Sequence, residues 1–465
     1  MRMLLADFSF SHKNLVRSVT ILILLALLSF DVAAASNESE IYKRYITEDI
    51  TEEFGTIAPN DFDKNLNYSY GKIDSYAINA PLSAEASIKS LAAYLAKPDW
   101  NEREKARSIF RWITENIDYN VEGPLTGSDV NIGSKDLLKS RKSVCDGYSD
   151  IFQSLATEAG LESARISGYG KGYGHQPGKK NNESSNHAWN AVKINESWYL
   201  IDCTWGAGYI NEDKKYVRKF DDHYFMTPPS EFIFDHFPDN SSWQLLNNPI
   251  SKSEFEQLVH VKSEFFRYNL RIGSHLEGNV KTDKEMNISV FAPIDVLLIA
   301  GLEYADNDKF SAKTNLNDHI LYERDGNRYD IYAQFPEKGR YILKVYAKRK
   351  DEPGECHGAI EYAIDAVEGM GKSAGFPMTY SIFMDTESYL YRPMEGKLKS
   401  GKSYRFKIKV PNANNVSIIC GKDWSYLKRE RDLFEGNVTP VKGDVLVCAN
   451  FKGDRWDGLL KYTAN

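Results

Sequence analysis

The sequence predicts an α+β protein in which a helix-and-hairpin unit is followed by two β-sandwich modules. Three observations predict it. Apolar residues recur at helical spacing between residues 83 and 160, two strand-like runs follow at 187–204, and short β-rich runs punctuated by turn residues fill the chain beyond 250. At 465 residues, 42% hydrophobic and 13% aromatic, the chain reads as globular, with two to four domains of about 150 residues each. A net charge of -7 offers no basic surface for phosphates, which excludes nucleic acid as the expected partner.

Taken in order, residues 1–35 read as a signal peptide. His12, Lys13 and Arg17 precede an apolar run from Val19 to Phe30, and Ala33, Ala34 and Ala35 supply a cleavage site of small residues. The run is short of the about 20 residues that span a bilayer. A secreted or periplasmic protein cleaved after Ala35, with no membrane span once the signal is removed, is therefore expected. Residues 36–80 are polar and aperiodic, and read as a lead-in segment.

From Ser83 the pattern turns helical. Ile88, Leu91, Ala92 and Leu95 mark one helix, and Ala106, Ile109, Phe110, Ile113 and Ile117 mark a second after the charged start Glu102-Arg103-Glu104. A third follows Cys145, with Tyr148, Ile151, Phe152, Leu155, Ala156 and Ala159 on one face and Gly160 where a C-terminal cap belongs. A Gly-rich loop from Gly168 to Gly178 leads into the runs His187–Ile194 and Ser197–Thr204, joined by Asn195-Glu196.

The tail runs Asn287–Phe291, Val296–Ala300, Arg340–Ala347, Tyr404–Val410 and Asp444–Asn450 have the spacing of sandwich strands, with a join near 369–375. The expected divisions are a core at 81–250, a first sandwich at 251–370 and a second at 371–465. Five cysteines are too few for a disulfide scaffold, and the odd number leaves at least one free. Cys145 is the candidate free thiol; Cys420 and Cys448 either pair or are isolated buried thiols.

Cys145 begins a helix, where unpaired amides and the dipole favour a thiolate. If Asn195 and Glu196 form a two-residue turn, facing residues place Asp202 opposite Trp189 and diagonal to His187, on one face. Asp202 then orients His187, whose other nitrogen faces the thiol. A slip of one residue in register destroys this arrangement.

The segments Ser143-Val144-Cys145-Asp146-Gly147-Tyr148, His187-Ala188-Trp189-Asn190-Ala191-Val192 and Trp198 through Gly208 resemble the transglutaminase-like superfamily, most of all the kyphoscoliosis-peptidase type. The likeness covers roughly 85–245, including Ile109 through Ile113 and Phe232 through Pro238, and extends into the tail at Gly375-Phe376-Pro377 and Thr379-Tyr380. It implies a papain-like transglutaminase core followed by Ig-like β-sandwich modules, with Cys145 as nucleophile, His187 as base and Asp202 as orienter. Papain-like enzymes place a Gln before the nucleophile, but no Gln precedes Gln153 here. Trp112, Asn116 and Asn131 remain as candidate second oxyanion donors beside the backbone N–H of Cys145.

Other residues carry plainer readings. Trp189 and Trp205 either wall a substrate tunnel or fill the core. His175 reads as a solvated loop histidine, and Cys203 as packing. His223 after Asp221-Asp222 lacks metal-ligand spacing. No metal or cofactor is expected. The leading functional expectation is an acyl-transfer enzyme that attacks a peptide bond or a glutamine amide through a thioester. It would act as a peptidase, a deamidase or a cross-linking enzyme on a protein or peptide substrate. The alternative is a catalytically idle binding or scaffolding module whose β modules meet a surface or protein partner. An amidase acting on cell-surface glycopeptide is a third option.

Overall fold

The structure, a computed structural model, describes residues 69–122, 133–178, 185–211, 213–305, 316–371 and 375–465. The expected signal peptide at 1–35, most of the lead-in and Asn131 lie outside the described residues. No helix among the described residues is long and apolar enough to cross a membrane.

The core is a helical layer on a five-stranded antiparallel sheet. The helices are α1 (Gly71–Ile78), α2 (Ile88–Leu95), α3 (Glu102–Asn116), α4 (Ser134–Ser140), α5 (Cys145–Glu158) and the short α6 (Cys203–Ala207). α3 starts at a reciprocal cap. The Asn101 side chain accepts from the Glu104 amide at 3.0 Å, and the Glu104 carboxylate accepts from the Asn101 amide at 2.9 Å. Such a cap contributes about 1 kcal/mol. Its apolar stripe of Ala106, Ile109, Phe110 and Ile113 is buried. Arg107, also buried, bonds Asp74 of α1 at 2.7 Å and so ties α1 to α3. α1 is a helix inside the stretch that reads as aperiodic: eight residues, with only Ile73 and Ala77 buried, carry too short a period to register.

The sheet strands are β1 (Ser163–Gly170), β2 (His187–Ile194), β3 (Ser197–Ile201), β4 (Phe225–Thr227) and β5 (His236–Pro238), in the order β4-β3-β2-β1-β5. Val192, Ile194, Tyr199 and Ile201 pack with the helices, while Ile166, Trp189, Ala191 and Leu200 form a second cluster. β1 occupies part of what reads as a Gly-rich loop; its small residues weaken the strand signal. The turn at Asn195 and Glu196 has positive φ at both residues (48° and 67°), which matches the right-handed twist of the flanking strands.

Behind the core the chain forms two β-sandwiches. In the first, one sheet orders His260–Val261, His357–Ala366, Gly339–Arg349 and Val296–Tyr304, with Asn279–Thr282 also on His357–Ala366. The other orders Arg271–Ile272, Glu285–Phe291, Arg328–Gln334 and Ile320–Asp325. In the second, Asp457–Ala464, Gly443–Asn450, Asn415–Cys420 and Asp423–Tyr426 face Tyr389–Arg392, Tyr404–Lys409, Leu433–Val438 and Lys428–Glu430. Phe383, Phe406, Val447 and Leu460 lie in the second core. All five cysteines are free thiols. Cys448 faces Ser417 and Cys420 faces Val445, so the ladder does not bring those two sulfurs together.

Candidate active site

Cys145 is the first residue of α5 and is partly exposed. The residue before it, Val144, is extended and has no side chain that can cap. The first-turn amides are therefore left for whatever anion sits at the helix start. At the far end Gly160 takes φ 77°, and Leu161 donates to the Ala156 carbonyl at 2.8 Å, closing the helix. Asp146 would oppose a neighbouring thiolate, but Arg165 pairs with it and with Asp150. The Asn190 amide of β2 donates to the Ser149 carbonyl at 3.1 Å, locking α5 to the strand that carries His187.

The β2–β3 ladder pairs Asn190 with Ile201 and Ala191 with Leu200, the register that a turn at 195–196 demands. The strand stops at Ile201 rather than running on to Thr204, because the Asp202 side chain caps α6, accepting from the Thr204 amide at 2.7 Å and the Trp205 amide at 3.2 Å. Its other oxygen lies 2.8 Å from His187 Nε2. Asp202 has no solvent exposure. Burial opposes its charge, but the His187 charge and hydrogen bonds from His187 and His236 hold the carboxyl well below the usual range. Burial likewise opposes a charge on His187, yet Asp202 and then the Cys145 sulfur outweigh it and lift the imidazole to about 10. With Nε2 engaged by Asp202, Nδ1 is the nitrogen left for Cys145.

Three residues to which the sequence pattern gives no role complete the polar chain. His236 Nε2 lies 3.1 Å from the same Asp202 oxygen, and its Nδ1 lies 2.6 Å from Asp235 Oδ1. The Tyr224 hydroxyl donates to Asp235 Oδ2 at 3.1 Å. β1 makes this convergence possible. It pairs with β2 through Gly168 and His187, and with β5 through Gly170 and His236. A Cβ on Gly170 would sit 3.1 Å from the His187 ring, so a glycine here leaves room for that ring, whose centroid lies 5.2 Å from that of His236.

The other residues that the sequence marks as candidates divide clearly. Trp189 is buried core, 1% exposed, while Trp205 stacks on the His187 ring at 5.2 Å. The Trp112 indole gives its one N–H to Glu85 at 3.0 Å and so is not available as an oxyanion donor, while the Asn116 amide gives one of its two hydrogens to the Trp112 carbonyl at 2.9 Å. His175 is half-buried rather than fully solvated: its ring meets His260 at 4.9 Å, and burial, with His260 and Lys171 beside it, pushes it down to about 3. His223 stacks flat on Phe266. Cys203 is buried, and burial raises its thiol. Lys171, which no sequence signal marks, is buried and donates to the Leu258 carbonyl at 3.1 Å. Burial takes its amine down to about 7 against the pull of Asp235 and Glu256. The one group of potential metal ligands among the described residues is His187, Asp202 and His236, within 4.8 Å of one another. Hydrogen bonds to the Asp202 carboxylate already account for that clustering.

Two family models match the chain: the transglutaminase-like superfamily over residues 89–203 and a KY-like, immunoglobulin-like domain over 252–377. The chain is 34% identical to human kyphoscoliosis peptidase, over 85% of this chain and 77% of that protein. It is 31% identical to Drosophila melanogaster hillarin, over 59% of this chain and 36% of that protein. It is 22% identical to cytokinesis protein 3 of Schizosaccharomyces pombe, over 74% of this chain and 40% of that protein. These relatives correct the expectation of a secreted or periplasmic protein. Relatives from two yeasts are named for cytokinesis, a process of the cell interior, and the apolar run that suggests export lies outside the described residues. The papain-like transglutaminase core with Ig-like sandwiches behind it, and the identity and coverage shared with the human protein, place this chain in the kyphoscoliosis peptidase family of transglutaminase-like proteins.

Proposed function

We propose that the chain is a cysteine acyl-transfer enzyme acting on a peptide bond or a glutamine side-chain amide of a protein or peptide. The observation that carries this is the single line from Asp202 through His187 towards Cys145 at an uncapped helix start. In the first half-reaction the Cys145 thiolate attacks the amide carbon and the carbonyl electron pair moves to oxygen. That oxyanion is stabilised by backbone N–H groups at the start of α5. As the tetrahedral intermediate collapses, the His187 Nδ1 proton passes to the leaving nitrogen, the C–N bond breaks and a thioester remains. His187, now neutral, takes a proton from water or an amine as that group attacks the thioester, and the thiolate–imidazolium pair is restored. Water gives a peptidase or deamidase; an amine gives a cross-link.

The binding reading keeps one supporting observation: the Trp112 N–H is committed to Glu85, which leaves the oxyanion one candidate donor fewer. A glutamine-containing peptide incubated with hydroxylamine separates the two. The enzyme reading expects a hydroxamate, with ammonia or a shorter peptide released, and its loss in Cys145→Ala. An idle site gives no product and no acylated Cys145 by mass spectrometry.

A further inference from the structure

We propose that His236 is a positioning residue, held as an imidazolium between Asp202 and Asp235, that limits how tightly Asp202 holds the proton on His187. This rests on the reading of Cys145 and His187 as a thiolate–imidazolium pair.

Counting hydrogens gives the charge on His236. Asp202 Oδ2 lies within bonding distance of two imidazole nitrogens, His187 Nε2 at 2.8 Å and His236 Nε2 at 3.1 Å. A carboxylate has no hydrogen to give, so each nitrogen must bring its own. The second His236 nitrogen is 2.6 Å from Asp235 Oδ1, and Asp235 Oδ2 already accepts from the Tyr224 hydroxyl. With both carboxylates ionised, His236 carries hydrogens on both nitrogens. Its surroundings suit a cation: Phe232 stacks on the ring at 3.9 Å between centroids, Trp205 lies at 4.3 Å and Trp189 at 5.0 Å. The ring is 1% exposed, so water does not screen it.

The charged and titratable groups facing it are His187 and Asp202, Asp235 beside it, and Tyr224 and His223 before β4, while Lys171 at the end of β1 acts on Asp235. Among these, His236 competes with His187 for one carboxylate oxygen and repels its positive charge across 5.2 Å. Both effects loosen the His187 proton, which must leave Nδ1 when an amide nitrogen departs. Asp235 keeps the competing cation in place.

His236→Gln retains an N–H for Asp202 and removes the charge; Asp235→Asn removes the anion that holds the second hydrogen. The readouts are the ring 15N shifts of His236, assigned by difference against His236→Gln, and the pH profile of Cys145 alkylation by iodoacetamide. The wild-type ring is expected to be doubly protonated at pH 7. The upper limb of the alkylation profile, where His187 gives up its proton, is expected to rise by about one pH unit in both variants. A neutral His236 tautomer at pH 7 overturns the proposal. So does an upper limb that stays in place in both variants, which a purely structural role predicts. A wild type with an ordinary thiol profile instead removes the pair itself, and is told apart from the other failures by having no lower limb. Should His236→Gln fail to fold, the wild-type ring shifts and Asp235→Asn decide.

Discussion

Asp202 in the core and Glu323 in the first sandwich both lack solvent exposure, yet their surroundings treat a charge in opposite ways. Asp202 accepts four hydrogen bonds, two from backbone amides and two from imidazoles. Glu323 accepts one, from the Leu390 amide at 2.5 Å, and its other oxygen has no partner among the described residues. Burial therefore wins at Glu323, pushing the carboxyl up to about 8 against the Leu390 hydrogen bond, with Asp330 adding to the rise. At Asp202 burial loses. Seclusion from water does not by itself neutralise a carboxylate; the number and charge of its donors decide. The donor-rich interior lies at the proposed active site, while the donor-poor one lies where the two sandwiches meet.

The largest effect is expected at Cys145, the proposed nucleophile beside the donor-rich interior. Cys145→Ala is expected to lower acyl transfer by about 10⁴-fold or more with the fold retained, measured as hydroxamate formed per turnover alongside circular dichroism. Next in size, Asp202→Asn keeps the shape but supplies an amide where His187 and His236 both donate. Turnover should fall by about 10³-fold, with the Cys145 alkylation profile moving towards that of an ordinary thiol. Gly170→Ala adds a methyl against the His187 ring and should reduce alkylation below pH 7 by about tenfold, while a Phe383→Ala variant should leave alkylation unchanged. Phe383 is fully buried in the second sandwich, so that variant should instead cost about 3–5 kcal/mol in chemical denaturation.

The smallest effect concerns Glu323 and has a definite sign. Its folded value of about 8 lies above the ordinary value of 4.5, so the folded state keeps a proton that the unfolded chain releases. Its contribution to stability is full below about 4.5 and is lost as pH rises through about 8. Glu323→Gln should remove that loss, so the melting temperatures of variant and wild type should differ more at pH 8.5 than at pH 5. Equal differences at both pH values would contradict a neutral Glu323.

Part of this architecture is legible in the sequence and part is not, for physical reasons. The geometry joining Cys145, His187 and Asp202 follows from short-range pattern: an apolar helical stripe starting at a cysteine, and a two-residue turn that fixes which face Asp202 occupies. The tail strands follow from alternation and turn residues. His236 and Asp235 lie inside a recognisable segment but carry no role there, because the contact of His236 with Asp202 spans 34 positions and depends on β5 pairing back onto β1. β1 itself is obscured by its glycines, one of which, Gly170, leaves room for the His187 ring, so a feature that fits the site is also one that hides the strand. α1 escapes the pattern because it holds only two buried residues. His175 reads as fully solvated because nothing local signals that His260, 85 positions on, will pack against one side of it.

The proposed charged pair of Cys145 and His187 is tested most directly by the pH dependence of Cys145 alkylation by iodoacetamide, wild type against His187→Ala. Rapid labelling well below the ordinary thiol pKa of about 8.5, lost when His187 is removed, is the predicted result. Slow labelling with ordinary thiol pH dependence in both proteins would contradict it.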